Sequence, residues 1–343
     1  MRLLALPRLR GVLVALLVTL VLAGCVNRDP VARGKISAFD TILNITLIGV
    51  DRQRAAEITE ILADDFRTME KSWHAWDSSP VRRMNELFNA GPEAFTAPPS
   101  VLPLLQLAKN LSQQSDGLFN PAIGHLYRAW GFQGRAADCQ RPPSPELIDE
   151  IVAKRPGMQD IQVDGIRVAS INQMVKLDFR DIQLGYAIDQ AIARLQDLGI
   201  HNASISVDGN LRAIGSRSGN PWSVAVRGPE GGGVLATLQI MGNEAAFTAA
   251  TGRHAYGWGG KRYHDLIDPR TGYPANDATS VTVLHTNAST ADAAAPALFI
   301  AGQGSGDSPL AQIRRPFVAS RILSLMDQLP VKGSAPIAAD LPT

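Results

Sequence analysis

Residues 262–274 read Arg-Tyr-His-Asp-Leu-Ile-Asp-Pro-Arg-Thr-Gly-Tyr-Pro, placing His264, Asp265, Asp268 and Arg270 within seven positions. An imidazole, two carboxylates and a guanidinium are the groups that move protons, hold a hard cation or meet a phosphate. Turn chemistry accounts for Pro269, Gly272 and Pro274, and Asp268, Arg270 and Thr271 read as residues that fix the turn. It does not account for the apolar pair Leu266 and Ile267, which suits a short strand delivering polar groups at its end. Neighbours on a strand point to opposite faces, so only one of His264 and Asp265 can face a pocket. Histidine has the unperturbed pKa better suited to neutral pH. A further carboxylate, Asp292, precedes an Ala-rich helix in "TADAAAPALFIAG", where its position also suits a helix N-cap.

These side chains need elements to hold them. Residues 35–51 alternate and are rich in Ile, Leu and Thr, as a strand does. Over 51–76, Ile58, Ile61, Leu62, Phe66 and Met69 fall on one helical face. Residues 78–91 read as a turn and a short helix, and 98–117 as an amphipathic helix with Gly117 as C-cap. Residues 145–157 are helical, 161–170 form a hairpin about Asp-Gly, 173–179 a strand, and 185–200 a helix. Strands follow over 202–215, 221–229, "VLATLQIMGNEAAFTAA", "SVTVLHTNAS" and 321–327, with a helix from 290. Helices and strands mix without strict βαβ alternation, which predicts an α+β fold.

The 343-residue chain is 45% hydrophobic with a formal charge of +1. That length supports one large domain or two ordinary ones. The near-balanced charge argues against nucleic acid, and no Cys/His cluster suggests zinc. Three arginines in residues 1–10 precede an apolar run ending in "LAGC", the pattern of an export signal with a lipidated Cys25. The run is short for a bilayer span of ~20 residues. Expected boundaries are a lipoprotein signal peptide over 1–24, a tether over 25–35, one domain over 36–335 and a tail over 336–343. Val26 after the cysteine favours the outer membrane over the inner, with the domain facing the periplasm. Cys139 has no disulfide partner if Cys25 carries lipid, and reads as an incidental loop thiol.

Taken in order, "FDTILNITL", "WHAWDSSPVRRMN", "GLFNPAIGHLYRAWGF", "KLDFRDIQLGYAIDQA", "SISVDGNLRAIG", "YHDLIDPRTGYP" and "TADAAAPALFIAG" resemble the blocks of the FAD:protein FMN transferase (ApbE-type) family. The resemblance covers residues 36–335 and implies a single large ApbE-like domain. It implies an exported enzyme that binds FAD as substrate with Mg²⁺. Such an enzyme transfers FMN to a threonine hydroxyl of an exported or membrane flavoprotein acceptor and releases AMP. Carried over by position, Leu118, Phe119, Asn120, Asp178, Leu184, Leu266 and Ile267 would contact the flavin nucleotide. Asp292 and Asp181 would hold the metal. Asp265, with His264 as the alternative, would be the catalytic base. Trp73 and Trp76 read either as walls of a flavin site or as core.

The chain also departs from the family pattern. "RDIQLG", with Arg180, Asp181 and Leu184, stands where the family commonly has a Gly-rich run. Asp208 replaces a glycine, and Pro296 replaces a threonine four residues after Asp292. Asp265 stands where the family has a histidine. Besides the transferase, a relative that binds flavin or a partner without transferring it fits the sequence, as does a lipoprotein scaffold with an empty pocket.

Overall fold

The computed structural model describes residues 29–133, 141–227, 233–240, 242–252, 254–276, 278–302 and 321–325. The stretch expected as a signal peptide with Cys25, the expected C-terminal tail and Cys139 lie outside the described residues. In chain order the elements are β1 (Val31–Ala38), β2 (Thr41–Ile48), α1 (Arg52–Trp73), α2 (Pro80–Ala90), β3 (Phe95–Thr96), α3 (Leu102–Gln114), α4 (Gly124–Ala129) and α5 (Pro145–Ala153). They continue with β4 (Ile161–Asp164), β5 (Arg167–Ser170), α6 (Gln183–Asp197), β6 (Ala203–Val207), β7 (Asn210–Ile214), β8 (Trp222–Arg227) and β9 (Val234–Ile240). The last are β10 (Glu244–Ala250), β11 (Ala255–Trp258), β12 (Lys261–His264), β13 (Ser280–His285), α7 (Ala288–Ala301) and β14 (Arg321–Leu325). Helices and strands mix as the sequence predicts.

A seven-stranded antiparallel sheet in the order β1-β2-β6-β7-β10-β13-β14 forms the frame. Helices α1, α6 and α7 cover one face, where Ile58, Leu62 and Phe66 of α1 share the main core with Leu43, Ile45 and Leu47 of β2. Burying each such side chain stabilises the fold by about 1.5–3 kcal/mol. The β8–β9 hairpin covers part of the other face through Trp222, Val224 and Ile240. With both sides covered, all five residues of β7 are buried, Arg212 among them.

Local chemistry sets the helix starts. Asp51, Ser79 and Ser144 each accept a backbone N–H from three residues on, capping α1, α2 and α5. A proline opens α2 and another opens α5, where its missing N–H costs nothing.

Three expectations change. Residues 35–51 are not one strand: β1 begins at Val31, inside the stretch expected as tether, and turns into β2 at Phe39-Asp40. Both turn residues have positive φ, 53° and 56°, without a glycine to announce it. Residues 173–179 form no strand: 173–174 are a turn, and Lys176 makes only an isolated bridge to Ile123. Asn85 takes Leu177 on both sides, accepting its N–H at 2.6 Å and donating to its carbonyl at 2.9 Å. Lys176 and Asp178 donate to the carbonyls of Ala122 and Pro121. A side chain and a loop therefore supply the partners that a ladder would have supplied.

Candidate functional site

The stretch singled out in the sequence is a strand running into a turn. β12 ends at His264, and the chain then folds back so that Ala275 N–H donates to the Leu266 carbonyl and Asp268 N–H to that of Tyr273. Trp130 Nε1 donates to the Gly272 carbonyl at 2.7 Å and pins the turn from α4's end. A Cβ on Gly272 would lie 2.5 Å from Ile148 and 2.7 Å from Val152 at a φ of +77°, so only glycine fits. Asp268 binds Arg270 through its backbone N–H and guanidinium at 2.7–3.1 Å, as expected of a turn fastener.

Behind the turn lies a compact charged wall. Arg180 donates to both carboxylate oxygens of Asp178, and its Nη1 lies 3.7 Å from Asp265. The guanidinium sits 4.0 Å over the Tyr127 ring, and Nη2 also donates to the Phe132 carbonyl. Tyr127 donates its hydroxyl to Asp181 at 3.0 Å. Burial pushes the Asp181 carboxyl up to about 7, reinforced by the negative charges of Asp265 and Asp292. Burial favours the neutral form of Asp265 as well. The hydrogen bond and charge of His254, followed by Arg180 and His264, outweigh it and hold this carboxyl below its ordinary value.

Asp292 does not cap its own helix, whose N-cap is Asn287. It accepts the N–H of Gly185, in the first turn of α6, at 2.9 Å. Asp189 of α6 returns the contact, accepting from the backbone of Ala288 and Ser289 and from the Ser289 hydroxyl at 2.7–2.9 Å. Each helix thus satisfies the start of the other, and Arg212 completes the set at 3.2 Å from Asp189. Pro296, one turn beyond Asp292, has no amide hydrogen to send to that residue's carbonyl.

The flavin-contact positions divide. Leu118, Phe119 and Leu266 are buried in the main core, and Ile267 in a smaller one with Leu126 and Trp130. Leu184 packs against the main core, partly buried. These five can offer a ligand backbone groups rather than open side chains. Asp178 is 3% exposed and committed to Arg180. Asn120 lines a cleft of about 950 Å³ together with Lys109, Asp116, Arg155, Met158 and Arg270, a size suited to a nucleotide. Trp73 is core: it stacks on Phe39 at 6.2 Å and donates to the Ser100 carbonyl.

His264 faces inward, 4% exposed and edge-on to Phe299 at 5.8 Å. Neither ring nitrogen makes a hydrogen bond of normal geometry. Burial pushes its pKa down, so the ring is held neutral in an apolar pocket. The sequence reading missed His254. Its Nδ1 lies 3.1 Å from Asp265 Oδ2, and its side chain is 71% exposed. The signal was present in the hairpin: Gly259-Gly260 forms a two-residue turn, and counting back from it sets residue 254 opposite 265.

Among the described residues, no three His, Cys, Asp or Glu side chains converge on a common point as a complete metal cage. Mg²⁺ does not need one, since it takes one or two carboxylates and completes its shell with water and substrate phosphates. Asp181 and Asp292 are hard oxygen donors close enough to raise the Asp181 pKa, a donor set that fits that ion.

The sequence profile of the ApbE family matches residues 39–317. A relative named FAD:protein FMN transferase from Rhodobacter capsulatus is 35% identical over 269 residues, 77% of this chain. The chain spans only half the length of that relative. Another of the same name from Vibrio cholerae is 28% identical over 87% of this chain and 90% of its own. The crystal structure of the ApbE protein of Thermotoga maritima superposes with a TM-score of 0.76 at 26% identity, covering 87% of this chain and 94% of that one.

Proposed function

The chain belongs to the ApbE family, and on that premise we propose that it transfers the FMN half of FAD to a threonine hydroxyl of an acceptor protein, releasing AMP. One observation carries the reading most: Asp178, Arg180, Asp181 and Asp265 share one charged wall with Tyr127, joined from its exposed side by His254, beside the helix start that holds Asp292. Phosphoryl transfer asks a protein for positioning and charge compensation more than for covalent chemistry. Asp181 and Asp292 would hold Mg²⁺, which when bound neutralises charge on the pyrophosphate. Arg180 fixes Asp178 and Asp265 in place, and the backbone of 118–120 leads into the cleft at Asn120 that would receive part of FAD. Lipidation at Cys25 would hold the domain at the envelope surface, facing the periplasm and exported acceptors.

The test is incubation of the soluble domain with FAD, Mg²⁺ and an acceptor domain carrying the threonine, followed by intact-mass measurement. The acceptor should gain one FMN, and its Thr→Ala variant none. A second reading, flavin binding without transfer, has its own support. Pro296 lacks the hydroxyl expected at its place, and Leu184 is an aliphatic side chain packed on the core. FAD binding with an unmodified acceptor would establish that reading instead.

A further inference from the structure

The transfer reading needs a group that takes the threonine proton, and neither residue that the sequence offers suits the task. His264 is buried against Phe299, away from any incoming hydroxyl. Asp265 is engaged by His254 on one side and Arg180 on the other, and a carboxyl held below its ordinary range is a poor proton acceptor at neutral pH. We propose that His254 is the general base of the transfer and that Asp265 is its positioning residue; this rests on the function proposed above.

The geometry is built by the β11–β12 hairpin. Gly259 and Gly260 take positive φ, 56° and 76°, as a tight two-residue turn requires. The register pairs Ala255 with His264, and the following step is sealed by Asp265 N–H donating to the His254 carbonyl at 3.2 Å. Backbone and side chain therefore join the same two residues. With its Nδ1 proton given to Asp265 Oδ2, the imidazole presents Nε2 as the basic nitrogen. A carboxylate behind a histidine in this way fixes the tautomer and stabilises the imidazolium that forms. Arg180, tied at the same time to Asp178, keeps Asp265 ionised and in place. The side chain of His254 is 71% exposed, where a hydroxyl on another protein can reach it. The family resemblance expects a histidine at position 265. Here that position is aspartate, and an imidazole is supplied by the residue that leads into the facing strand.

In the step, the threonine Oγ forms a bond to the phosphorus of the FMN half of FAD. The bond from that phosphorus to the bridging oxygen breaks, and its electron pair leaves with AMP. The Oγ proton passes to His254 Nε2 and from there to solvent.

Single-turnover transfer should be measured for wild type, His254→Ala, His254→Gln and Asp265→Asn, with FAD affinity and thermal unfolding followed in parallel. His254→Ala should lose about 10²–10⁴-fold in rate, with FAD affinity and acceptor KM unchanged, and added imidazole should restore part of the loss. His254→Gln can keep a hydrogen bond to Asp265 but cannot take the proton, so it should be as slow as the alanine variant. Asp265→Asn should be slow and unresponsive to imidazole. A His254→Ala enzyme at the wild-type rate, or a glutamine variant that recovers it, overturns the assignment while leaving the transferase reading intact. A wild type that binds FAD and never transfers overturns both.

Discussion

Gly185→Ala is expected to destabilise this protein, although the same change in an open helix would help. Alanine in a helix is ordinarily favoured over glycine by about 1 kcal/mol. Here a Cβ on Gly185 would sit 2.6 Å from the Ala288 carbonyl oxygen and 2.7 Å from Asp292 Cβ. Carbon contacts relax at about 3.5–4.0 Å, so α6 and α7 must part by close to an ångström. Helix α7 has little room to move, since twelve of its fourteen residues are buried. Overpacking of this kind costs about 1–3 kcal/mol, and for a domain of this size the melting temperature should fall by about 2–5 °C. The same shift pulls Asp292 away from the Gly185 amide that orients it at 2.9 Å. Losing such a supporting contact typically weakens metal binding about 10–100-fold. Thermal unfolding and calorimetric titration of Mg²⁺ in the presence of FAD read the two effects. A higher melting temperature with unchanged Mg²⁺ affinity would refute the close approach of the helices as the device that places Asp292.

Arg180→Met should cost about 3–5 kcal/mol by denaturant unfolding, because Asp178, 3% exposed, loses the cation that compensates it; an unchanged midpoint would contradict this. In metal-free protein, Asp181 has a folded pKa of about 7, above its unfolded value near 3.8. Its contribution is therefore fully present below the unfolded pKa and is lost as pH rises through the folded one. Stability should decline between those values by at most about 4 kcal/mol, less where water screens the partly exposed carboxyl. Asp181→Asn should flatten that decline, and a slope that persists in the variant would move it to another group. Cys25→Ser should give an unprocessed or misplaced product on membrane fractionation, whereas wild-type processing would remove the lipid anchor from the account.

The sequence carried the elements better than their partners. The Asp-Gly hairpin at 161–170, the amphipathic helices and the strand-to-turn shape of 262–274 rest on local chemistry and are legible residue by residue, although α3 has its C-cap at Ser115 and not at Gly117. The failure over 173–179 came from Asn85, ninety-two positions from Leu177, taking the backbone that a neighbouring strand would otherwise take. Leu118 and Phe119 match a nucleotide loop, yet their side chains fill the core, and periodicity cannot separate those roles. From sequence, Asp292 suits a cap on its own helix or a metal ligand; the exchange of caps between α6 and α7 requires knowing that they pack. His254 stayed hidden because a lone histidine says nothing until the hairpin register places it against Asp265.

If this wall of charge moves FMN from FAD to another protein, AMP and covalent flavin must appear together. The direct measurement is a count of AMP released against FMN covalently gained by the acceptor, in the same reaction, with Mg²⁺ and with chelator. One AMP per flavinylated acceptor is expected, and neither product when the metal is removed. AMP appearing without covalent flavin would mark a hydrolase, and bound FAD yielding neither product in the presence of Mg²⁺ would mark a flavin-binding protein; either result rules out the transferase.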